Sequence, residues 1–272
     1  RDWSSDVCSS DLNTPLQGRN MFAIAWSVPG VQIAASVTRL RPFDIAGSTS
    51  MVINGGRRGQ NDAQVDGVTA TYQAGSISFV PSVDSVGEFK VVTNPFDGQF
   101  GFTTGGVVQS VTRSGTNQFH GSGYEYIRND NFDARNFFDR RKAEFRRNQF
   151  GVSLGGPIRK DKVWFNTSFR AWGNQEELAG VYYNKPELRG TRFFQADTTN
   201  PGFAEAWVKD STSRVAWQAT KNQKLTGIFT LQRSCGCNNG LSAVRAPETT
   251  VDFQIGPGLL DQVNWKIGRA HV

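Results

Sequence analysis

The sequence predicts a mainly β protein, with a small α/β domain followed by the first five or six antiparallel strands of a truncated transmembrane β-barrel. Three observations support this prediction. Glycine is abundant, at 29 residues, and aromatic residues make up 12% of the chain. The second half of the chain alternates in polarity over segments of about ten residues, as membrane-spanning strands do. The connections between these segments alternate between short and long, as in outer-membrane barrels.

The two ends of the chain, residues 1–12 and 267–272, are predicted to be non-native tails. Codons can be chosen for Asp6 to Asp11 whose reverse complement encodes Ile-Gly-Arg-Ala-His-Val, the sequence of residues 267–272. This relationship resembles a sequencing adapter that was read through in frame. Such segments are excluded from fold reasoning. The two domains are therefore predicted within residues 13–266.

Residues 13–117 are predicted to form the small mixed domain. Asn20 can cap a short helix that ends at Pro29-Gly30. A glycine-rich segment, residues 54–59, permits tight turning between two short strands. One or two helical turns are expected near Pro81, just before a longer strand. The predicted strands of this domain are Met51 to Ile53, Gln64 to Val65, Glu88 to Val92 and Gly106 to Thr112.

Residues 118–266 are predicted to contain the barrel strands. In the second of them Phe150, Val152 and Leu154 share one face, because successive side chains of a strand point to opposite sides. The third strand has the same alternation and places Arg170 on its polar face. The six predicted strands are Phe119 to Ile127, Gln149 to Gly155, Val163 to Trp172, Ser213 to Ala219, Leu225 to Gln232 and Leu260 to Trp265.

The predicted connections between these strands alternate strictly in length. Residues 156–162 and 220–224 form short turns, whereas residues 128–148 and 173–212 form long loops, and another long loop follows residue 232. Short periplasmic turns and long extracellular loops produce this alternation in outer-membrane barrels. A soluble β-sandwich has no reason to maintain it.

The composition argues against several other classes of protein. The net charge of +6 suits nucleic acid or an anionic membrane surface, but the basic residues are spread along the chain, so no nucleic-acid partner is expected. No apolar run approaches the 18 or so residues of a membrane helix. Without the tails, His120, Cys235 and Cys237 are the remaining histidine and cysteines. The usual hydrolase, metalloprotease and nucleotide-binding motifs are missing as well. We therefore expect neither an enzyme nor a cofactor.

Several motifs resemble those of the Oar-like TonB-dependent receptors. The match is close over residues 13–173 and looser beyond. Gln109, where the family usually has Asn, and Phe100-Gly101, where many receptors have Tyr-Gly, depart from the pattern without changing the assignment. The matching segments are NTPLQGRN at 13–20, VPGV at 28–31, INGGRRGQN at 53–61, VDGV at 65–68, PSVDSVGEFKV at 81–91, GGVVQSVTRSGTN at 105–117, DARNFFD at 133–139 and RRNQFG at 146–151.

The resemblance implies that residues 13–117 are a plug domain and residues 118–266 the N-terminal part of a barrel of about 22 strands. It implies an outer-membrane location, with the plug on the periplasmic side and the long loops extracellular. Such a receptor takes up an extracellular ligand, unknown here, when the inner-membrane TonB complex pulls on the plug. The TonB-contacting segment, and often a carboxypeptidase-regulatory-like domain, is expected before Asn13. Outer-membrane lipid is the remaining expected partner.

Two other functions remain open from the sequence. An outer-membrane adhesion or matrix protein can use the same barrel as a surface anchor. A soluble β-sandwich binding module requires strands with one wet face and no lipid-facing band. Uptake that depends on TonB separates the receptor from the anchor, and the location of the protein separates both from the sandwich.

The candidate site residues belong to the plug and to one loop. Arg57, Arg58, Glu88 and Arg113 are predicted to make polar contacts with the barrel wall that break during transport. The alternative is ordinary surface pairing, worth about 0–1 kcal/mol. Cys235-Gly236-Cys237 is expected in an extracellular loop, where it can close a strained disulfide or help to bind a soft metal.

The aromatic residues and the first long loop have alternative interpretations too. Trp164, Trp172, Trp217, Tyr124 and Tyr126 are expected either in the interfacial aromatic belts or packed against the plug. The charged side chains of residues 128–147 either pair with one another or contact an anionic ligand or lipopolysaccharide.

Overall fold

The computed structural model describes residues 4–7, 19–33, 51–57, 60–71, 77, 79–95, 98–100, 103, 105–135, 137, 142–242 and 244–268. The strands are β1 Ser4–Val7, β2 Val31–Ile33, β3 Met51–Ile53, β4 Asp62–Val65, β5 Val68–Thr69, β6 Val86–Val92, β7 Val107–Thr112, β8 His120–Asn129, β9 Phe145–Arg159, β10 Val163–Asn184, β11 Ala196–Thr220, β12 Gln223–Asn239 and β13 Val251–Ile267. The helices are α1 Phe22–Ala25 and short 3₁₀ turns at Val83–Ser85, Gly98–Phe100, Asp130–Phe132, Pro186–Leu188 and Pro247–Thr249.

The described residues between 19 and 117, which the sequence predicts to be a plug domain, pack together with strand β1 and are called the plug unit here. Its main sheet has the strand order β1-β6-β7-β4-β5, in which β4 and β7 are parallel and the other pairs antiparallel, and β2 pairs with β3 separately. Met21, Phe22, Ile53, Phe89 and Val91 are almost fully buried in its core. Each predicted plug strand is present, within one or two residues at its ends.

Local capping explains the two helical segments of the plug unit that the sequence predicted. The Asn20 side chain accepts a hydrogen bond from the Phe22 N–H at 3.0 Å, which satisfies a free donor at the start of α1. The Ser82 hydroxyl does the same for the Asp84 N–H at 3.3 Å, where the 3₁₀ turn begins. Both caps lie in the core of the unit, since Asn20 and Ser82 are buried.

Strand β1 lies within the segment predicted to be non-native. It pairs antiparallel with β6, with Ser4 opposite Val92 and Val7 opposite Phe89. Pairing at a free sheet edge uses main-chain groups, which any sequence offers. This pairing is therefore compatible with a non-native origin of residues 1–12, which stays a prediction.

The six strands β8–β13 form the wall sheet. They pair in chain order, β8 to β13, and every pair is antiparallel. The six barrel strands predicted from polarity are all present, and the connections alternate as predicted: turns at 160–162 and 221–222, and longer connections at 130–144, 185–195 and 240–250. The sheet does not close on itself in this chain.

The predicted strand lengths were wrong at the ends that face the long connections. The forty-residue loop expected at 173–212 is mostly strand, because β10 continues to Asn184 and β11 begins at Ala196. The polarity pattern fades beyond Trp172, since strand ends outside the lipid no longer need an apolar face. Hydrogen-bonded pairing nevertheless continues, for example between Glu177 and Phe203.

The wall sheet has one apolar outward face and one polar inward face. On the outer face Phe150, Val152, Leu154 and Phe229 are each exposed by about half, as predicted for lipid contact. On the inner face the alternate residues are buried against the plug unit, among them Arg170. No second sheet covers the outer apolar band in the described residues, which favours the barrel interpretation over the β-sandwich.

None of the helices within the described residues is long and apolar enough to cross a membrane.

Candidate functional site at the contact of plug unit and wall sheet

The centre of the contact is a row of polar residues on the inner face of the wall sheet. Arg170 on β10 lies opposite Asp210 on β11, and Asp210 lies opposite Gln232 on β12. All three side chains are buried, and those of Arg170 and Asp210 have no exposed surface. Cross-strand neighbours have Cβ atoms about 5 Å apart, so the three groups form one continuous cluster. This cluster is the polar row.

The polar row binds the main chain of the plug unit at Val80. Arg170 Nη2 donates to the Val80 carbonyl at 3.2 Å, and Gln232 Nε2 donates to the same oxygen at 3.1 Å. The Val80 N–H donates in return to Gln232 Oε1 at 3.4 Å. Val80 lies three residues before the 3₁₀ turn Val83–Ser85, in a run of buried residues from 79 to 86, so the row holds a buried segment of the plug unit by its backbone.

The charge of Arg170 is balanced within the wall sheet. Its Nε and Nη2 both lie 2.6 Å from Asp210 Oδ2. A buried charge that loses its partner is strongly destabilising. Both ions belong to the wall sheet, and the contact of this pair with the plug unit is a hydrogen bond to the neutral Val80 carbonyl.

Arg19 links the plug unit to strand β8. Its Nη2 atom lies 2.9 Å from Asp84 Oδ1, an ion pair within the plug unit. The same guanidinium lies over the ring of Tyr124 on β8, 4.4 Å from the ring centroid, and 5.9 Å from that of Tyr126. Arg19 Nη1 also donates to the Tyr126 hydroxyl at 3.5 Å, so the contact to the wall sheet combines a cation–π contact with a hydrogen bond to a neutral group. Here too the charge is balanced on its own side of the interface.

Arg214 makes the one ion pair that crosses between the two parts in the described residues. Its Nη1 atom lies 3.1 Å from Asp66 Oδ1, 2.6 Å from the Thr112 carbonyl and 2.9 Å from Thr112 Oγ1. Asp66 also accepts from Thr112 N and Oγ1, at 3.2 and 2.8 Å. Asp66 stands at φ +50°, in the turn between β4 and β5. The side chain of Arg214 is 17% exposed, so water can reach this pair more readily than the polar row.

Further contacts join the two parts, among them the packing of Leu260 on β13 against Val65, Ala70 and Phe79. Gln262 Nε2 on β13 donates to the Val65 carbonyl at 3.0 Å. Trp172 on β10, with Ala206 and Val208 on β11, joins the apolar core of the plug unit. Val65 and Val80 are thus both held by their carbonyl oxygens from the wall sheet, beside an apolar contact.

The chain passes from the plug unit to the wall sheet at Asn117, and the side chain of Asn117 holds this connection in place by hydrogen bonds. Asn117 Oδ1 accepts from Asp161 N at 3.0 Å and from Trp164 Nε1 at 2.6 Å, and its Nδ2 donates to Asp161 Oδ1 at 2.5 Å. Just before it, Gly115 lies against the backbone of Phe165, where an added Cβ would overlap the carbonyl oxygen. The clamp fixes the connection to the short turn between β9 and β10.

The predicted plug–wall residues are not the ones that make the contacts above. Arg57 and Glu88 are exposed, and Arg113 Nε donates to the Val86 carbonyl within the plug unit at 2.8 Å. Arg58 lies outside the described residues. Six strands are a small part of the predicted barrel, so contacts of these side chains with wall strands beyond β13 stay a prediction.

The cysteine pair lies on a strand, so its expected position in a loop was wrong. Cys235 and Cys237 are part of β12, opposite Trp207 and Glu205 of β11, and their sulfur atoms are bonded to each other. Asp252 lies close enough to form a three-residue group with them. A bonded pair offers no free thiolate to a soft metal, which favours the disulfide over the metal alternative.

The aromatic residues divide between the two interpretations. Trp172 packs in the apolar core beside the plug unit, and Tyr124 contacts Arg19 of the plug unit. Trp217 is 48% exposed on the outer face. It lies directly opposite Val163 of β10, at the end of the sheet where the short turns are. This position suits an interfacial belt.

Sequence reasoning missed Asp210, Gln232 and Arg214, although one signal was available. The sequence places Arg170 on the polar face of its strand. A charged residue on the buried face of a strand needs a partner of opposite charge. Asp210 fills that role, but it fell inside the predicted forty-residue loop, so no register could be assigned to it.

A protein-family profile described as an outer membrane beta barrel domain matches residues 111–243. The TonB-dependent transporter Oar of Myxococcus xanthus is 30% identical over 178 residues, covering 60% of this chain and 17% of the relative. The probable TonB-dependent siderophore receptor PirA of Acinetobacter baumannii is 25% identical over 211 residues, covering 72% of this chain and 25% of the relative. The chain thus spans a quarter or less of these relatives.

The fold is similar to that of a solved receptor. A mutant of the ferric enterobactin receptor of Pseudomonas aeruginosa superposes with a TM-score of 0.61 at 16% identity, over 92% of this chain and 36% of the receptor. The named relatives are transporters and receptors, not enzymes. The chain is therefore related in sequence to the TonB-dependent transporter Oar, is similar in fold to a solved receptor, and matches an outer membrane beta barrel profile over residues 111–243.

Proposed function

We propose that the protein takes up an extracellular ligand across the outer membrane when force transmitted by TonB moves the plug unit within the barrel. The observation that carries this proposal is the pair of hydrogen bonds that Arg170 and Gln232 of the polar row donate to the Val80 carbonyl. A plug that must leave and return needs contacts that are specific yet reversible. Hydrogen bonds from a charge-balanced row to a neutral carbonyl meet both needs.

The energetics of this contact support movement over permanent anchoring. A neutral hydrogen bond contributes about 0.5–1.5 kcal/mol net, and somewhat more when a charged group takes part. The bonds to Val80, Val65 and Thr112 therefore amount to several kcal/mol, which a mechanical pull can overcome. Water that enters the gap can solvate the freed carbonyls and the Arg214–Asp66 pair, since these groups lie at the surface of the plug unit once it moves.

A ferric siderophore is the first ligand class to test. One sequence relative is named a siderophore receptor, and one structural neighbour is a ferric enterobactin receptor. The Oar relative is named only as a TonB-dependent transporter, so a negative result with siderophores would favour another class of ligand.

The first experiment measures uptake of ⁵⁵Fe-loaded siderophores by cells that carry the receptor, with and without functional TonB. Uptake that requires TonB is expected. Surface binding without uptake in both strains would contradict transport and favour the surface anchor.

A second experiment tests plug movement directly by tethering. Asp66→Cys with Arg214→Cys joins the plug unit to the wall sheet through a short bismaleimide. Ser122→Cys with Ser153→Cys is the matched control, because these wall residues are cross-strand partners whose hydroxyls lie 2.8 Å apart. The first tether is expected to stop uptake and the second to leave it unchanged. Equal uptake by both would contradict plug movement.

A further inference from the structure

Two cations stand side by side on the outer face of the wall sheet. Lys209 on β11 lies directly opposite Arg233 on β12, and both are exposed on the lipid-facing side. Neither has a salt-bridge partner within the described part of the chain. Like charges directly opposite each other destabilise a sheet. An anion placed between the two side chains would reverse that cost.

Their height on the sheet matches the edge of the lipid band. The apolar outer rows run from Trp217, near the short turns, up to Phe169 and Leu231. Lys209 is eight residues above Trp217 on the same strand, which is roughly 27 Å along it, or about 20 Å across the bilayer at the usual tilt. The cations therefore lie in the upper part of an apolar band about 25 Å tall, near its long-loop edge.

A shallow depression opens just above this pair. It has a volume of about 360 Å³, and its lining includes Ile127, Arg146, Gly173, Glu205 and Trp207, which share the strand face of Lys209, and the alternate residues Arg128, Arg147, Asn174 and Ala206. Gly173 has no side chain and so leaves the space between its neighbours open. Lys209 Nζ lies 5.5 Å from the ring centroid of Trp207 at the lower rim.

We infer that Lys209 and Arg233, with the depression over Gly173, bind the phosphate-bearing headgroup of a lipid of the outer leaflet. The acyl chains would lie on the apolar rows directly below, around Phe169 and Leu231. The phosphate would lie between the two cations and accept charge-assisted hydrogen bonds. The sugar or other polar part of the headgroup would occupy the depression beside Trp207.

The acidic residues nearby leave the pair a net positive site. Glu125 stands in the same outer row at β8, with Phe150 and Ala171 between it and Lys209. Glu205 lies on the upper rim of the depression, and Arg146 at the same level is 68% exposed, with Glu144 3.9 Å away. These acids keep the upper rim close to neutral, which restricts phosphate binding to the Lys209–Arg233 pair.

The test is lipid binding to the full-length receptor, purified in detergent, by native mass spectrometry with bisphosphorylated lipid A and its dephosphorylated form. Lys209→Gln with Arg233→Gln is the test variant. Lys224→Gln with Lys266→Gln is the matched control, since these lysines are also cross-strand partners but lie at the short-turn end. Lys209→Arg with Arg233→Lys keeps the charges and checks that rescue follows charge.

Wild type is expected to bind the phosphorylated lipid at least about tenfold more tightly than the test variant, because two charge-assisted contacts are lost. The control and the charge-swapped variant should bind like wild type. Equal binding of the dephosphorylated lipid, or unchanged binding by the test variant, would overturn the proposal. Displacement of the lipid by millimolar inorganic phosphate would also overturn it, because the site would then recognise free phosphate.

Discussion

Arg170 and Asp210 face each other across β10 and β11, with 2.6 Å between Arg170 Nε and Asp210 Oδ2 and no exposed surface on either side chain. The pair sits at the centre of the contact with the plug unit and provides one of the two donors to the Val80 carbonyl. Its stability therefore determines how firmly the plug unit is held.

Removing one partner of this pair should destabilise the receptor strongly. Asp210→Asn leaves the Arg170 charge buried without compensation, which costs about 3–5 kcal/mol. The temperature at which the detergent-purified receptor loses its fold should fall accordingly, measured by heat-dependent electrophoretic mobility. Arg170→Met with Asp210→Leu removes both charges and should be much less destabilising. A double variant as unstable as Asp210→Asn would contradict the ion-pair explanation.

Gln232→Ala should loosen the plug unit without unfolding the wall sheet. The variant loses the hydrogen bonds to the Val80 main chain, worth about 0.5–1.5 kcal/mol each. Entry of a large antibiotic that normally cannot cross the barrel should increase, measured as growth inhibition. Gln218→Ala is the control, because Gln218 bonds the neighbouring turn at Thr220 and does not contact the plug unit. Equal sensitivity of both variants would contradict a role at the interface.

Lysine in place of Arg214 should preserve the contact between the wall sheet and the plug unit only in part. Its Nη1 atom alone contacts Asp66 and both oxygens of Thr112, and a lysine ammonium retains the charge but is shorter and lacks the fork of donors. Arg214→Met should therefore loosen the plug unit more than Arg214→Lys, with the same antibiotic assay as the measurement. If the two variants behave alike, the ion pair to Asp66 contributes nothing.

Asn117→Ala should free the connection between the two parts. The variant loses two bonds to Asp161 and one to Trp164. We expect trypsin to cleave after Arg113 faster by about tenfold, since clamping contacts of roughly 1 kcal/mol or more suppress local opening. Asn264→Ala is the control, being an exposed asparagine at a distance on β13. Unchanged cleavage would show that Gly115 and its packing fix the connection instead.

A charged residue on the outer face of the wall sheet should destabilise the receptor only where that face contacts the hydrocarbon of the membrane. Phe229→Arg places a cation on the apolar rows of β12, where it costs about 2–4 kcal/mol at the bilayer midplane. Assembly into the outer membrane should decrease, measured by the fraction of heat-modifiable receptor. Val244→Arg is the control, because Val244 is 96% exposed in a long connection. Equal loss for both variants would contradict the assignment of this face to lipid.

The sequence by itself determined the positions of the wall strands along the chain and the apolar face of the second, third and fifth of them. These features depend on an alternation with a period of two, and a one-residue error would expose every polar residue of a strand such as Gln149 to Gly155. The plug strands and their caps were likewise local, since Asn20 and Ser82 satisfy donors within two residues of themselves.

Only the tertiary structure decided which polar residues hold the plug unit. Val80 accepts hydrogen bonds from Arg170 and Gln232, which are 90 and 152 residues away in the sequence. Such long-range contacts produce no periodic pattern of polarity from which they could be predicted. The strand ends were missed for a related reason, because outside the lipid no constraint on polarity marks them. The anchoring contacts are moreover made to main-chain carbonyls, which every residue carries, so residue identity on the plug side could not reveal them.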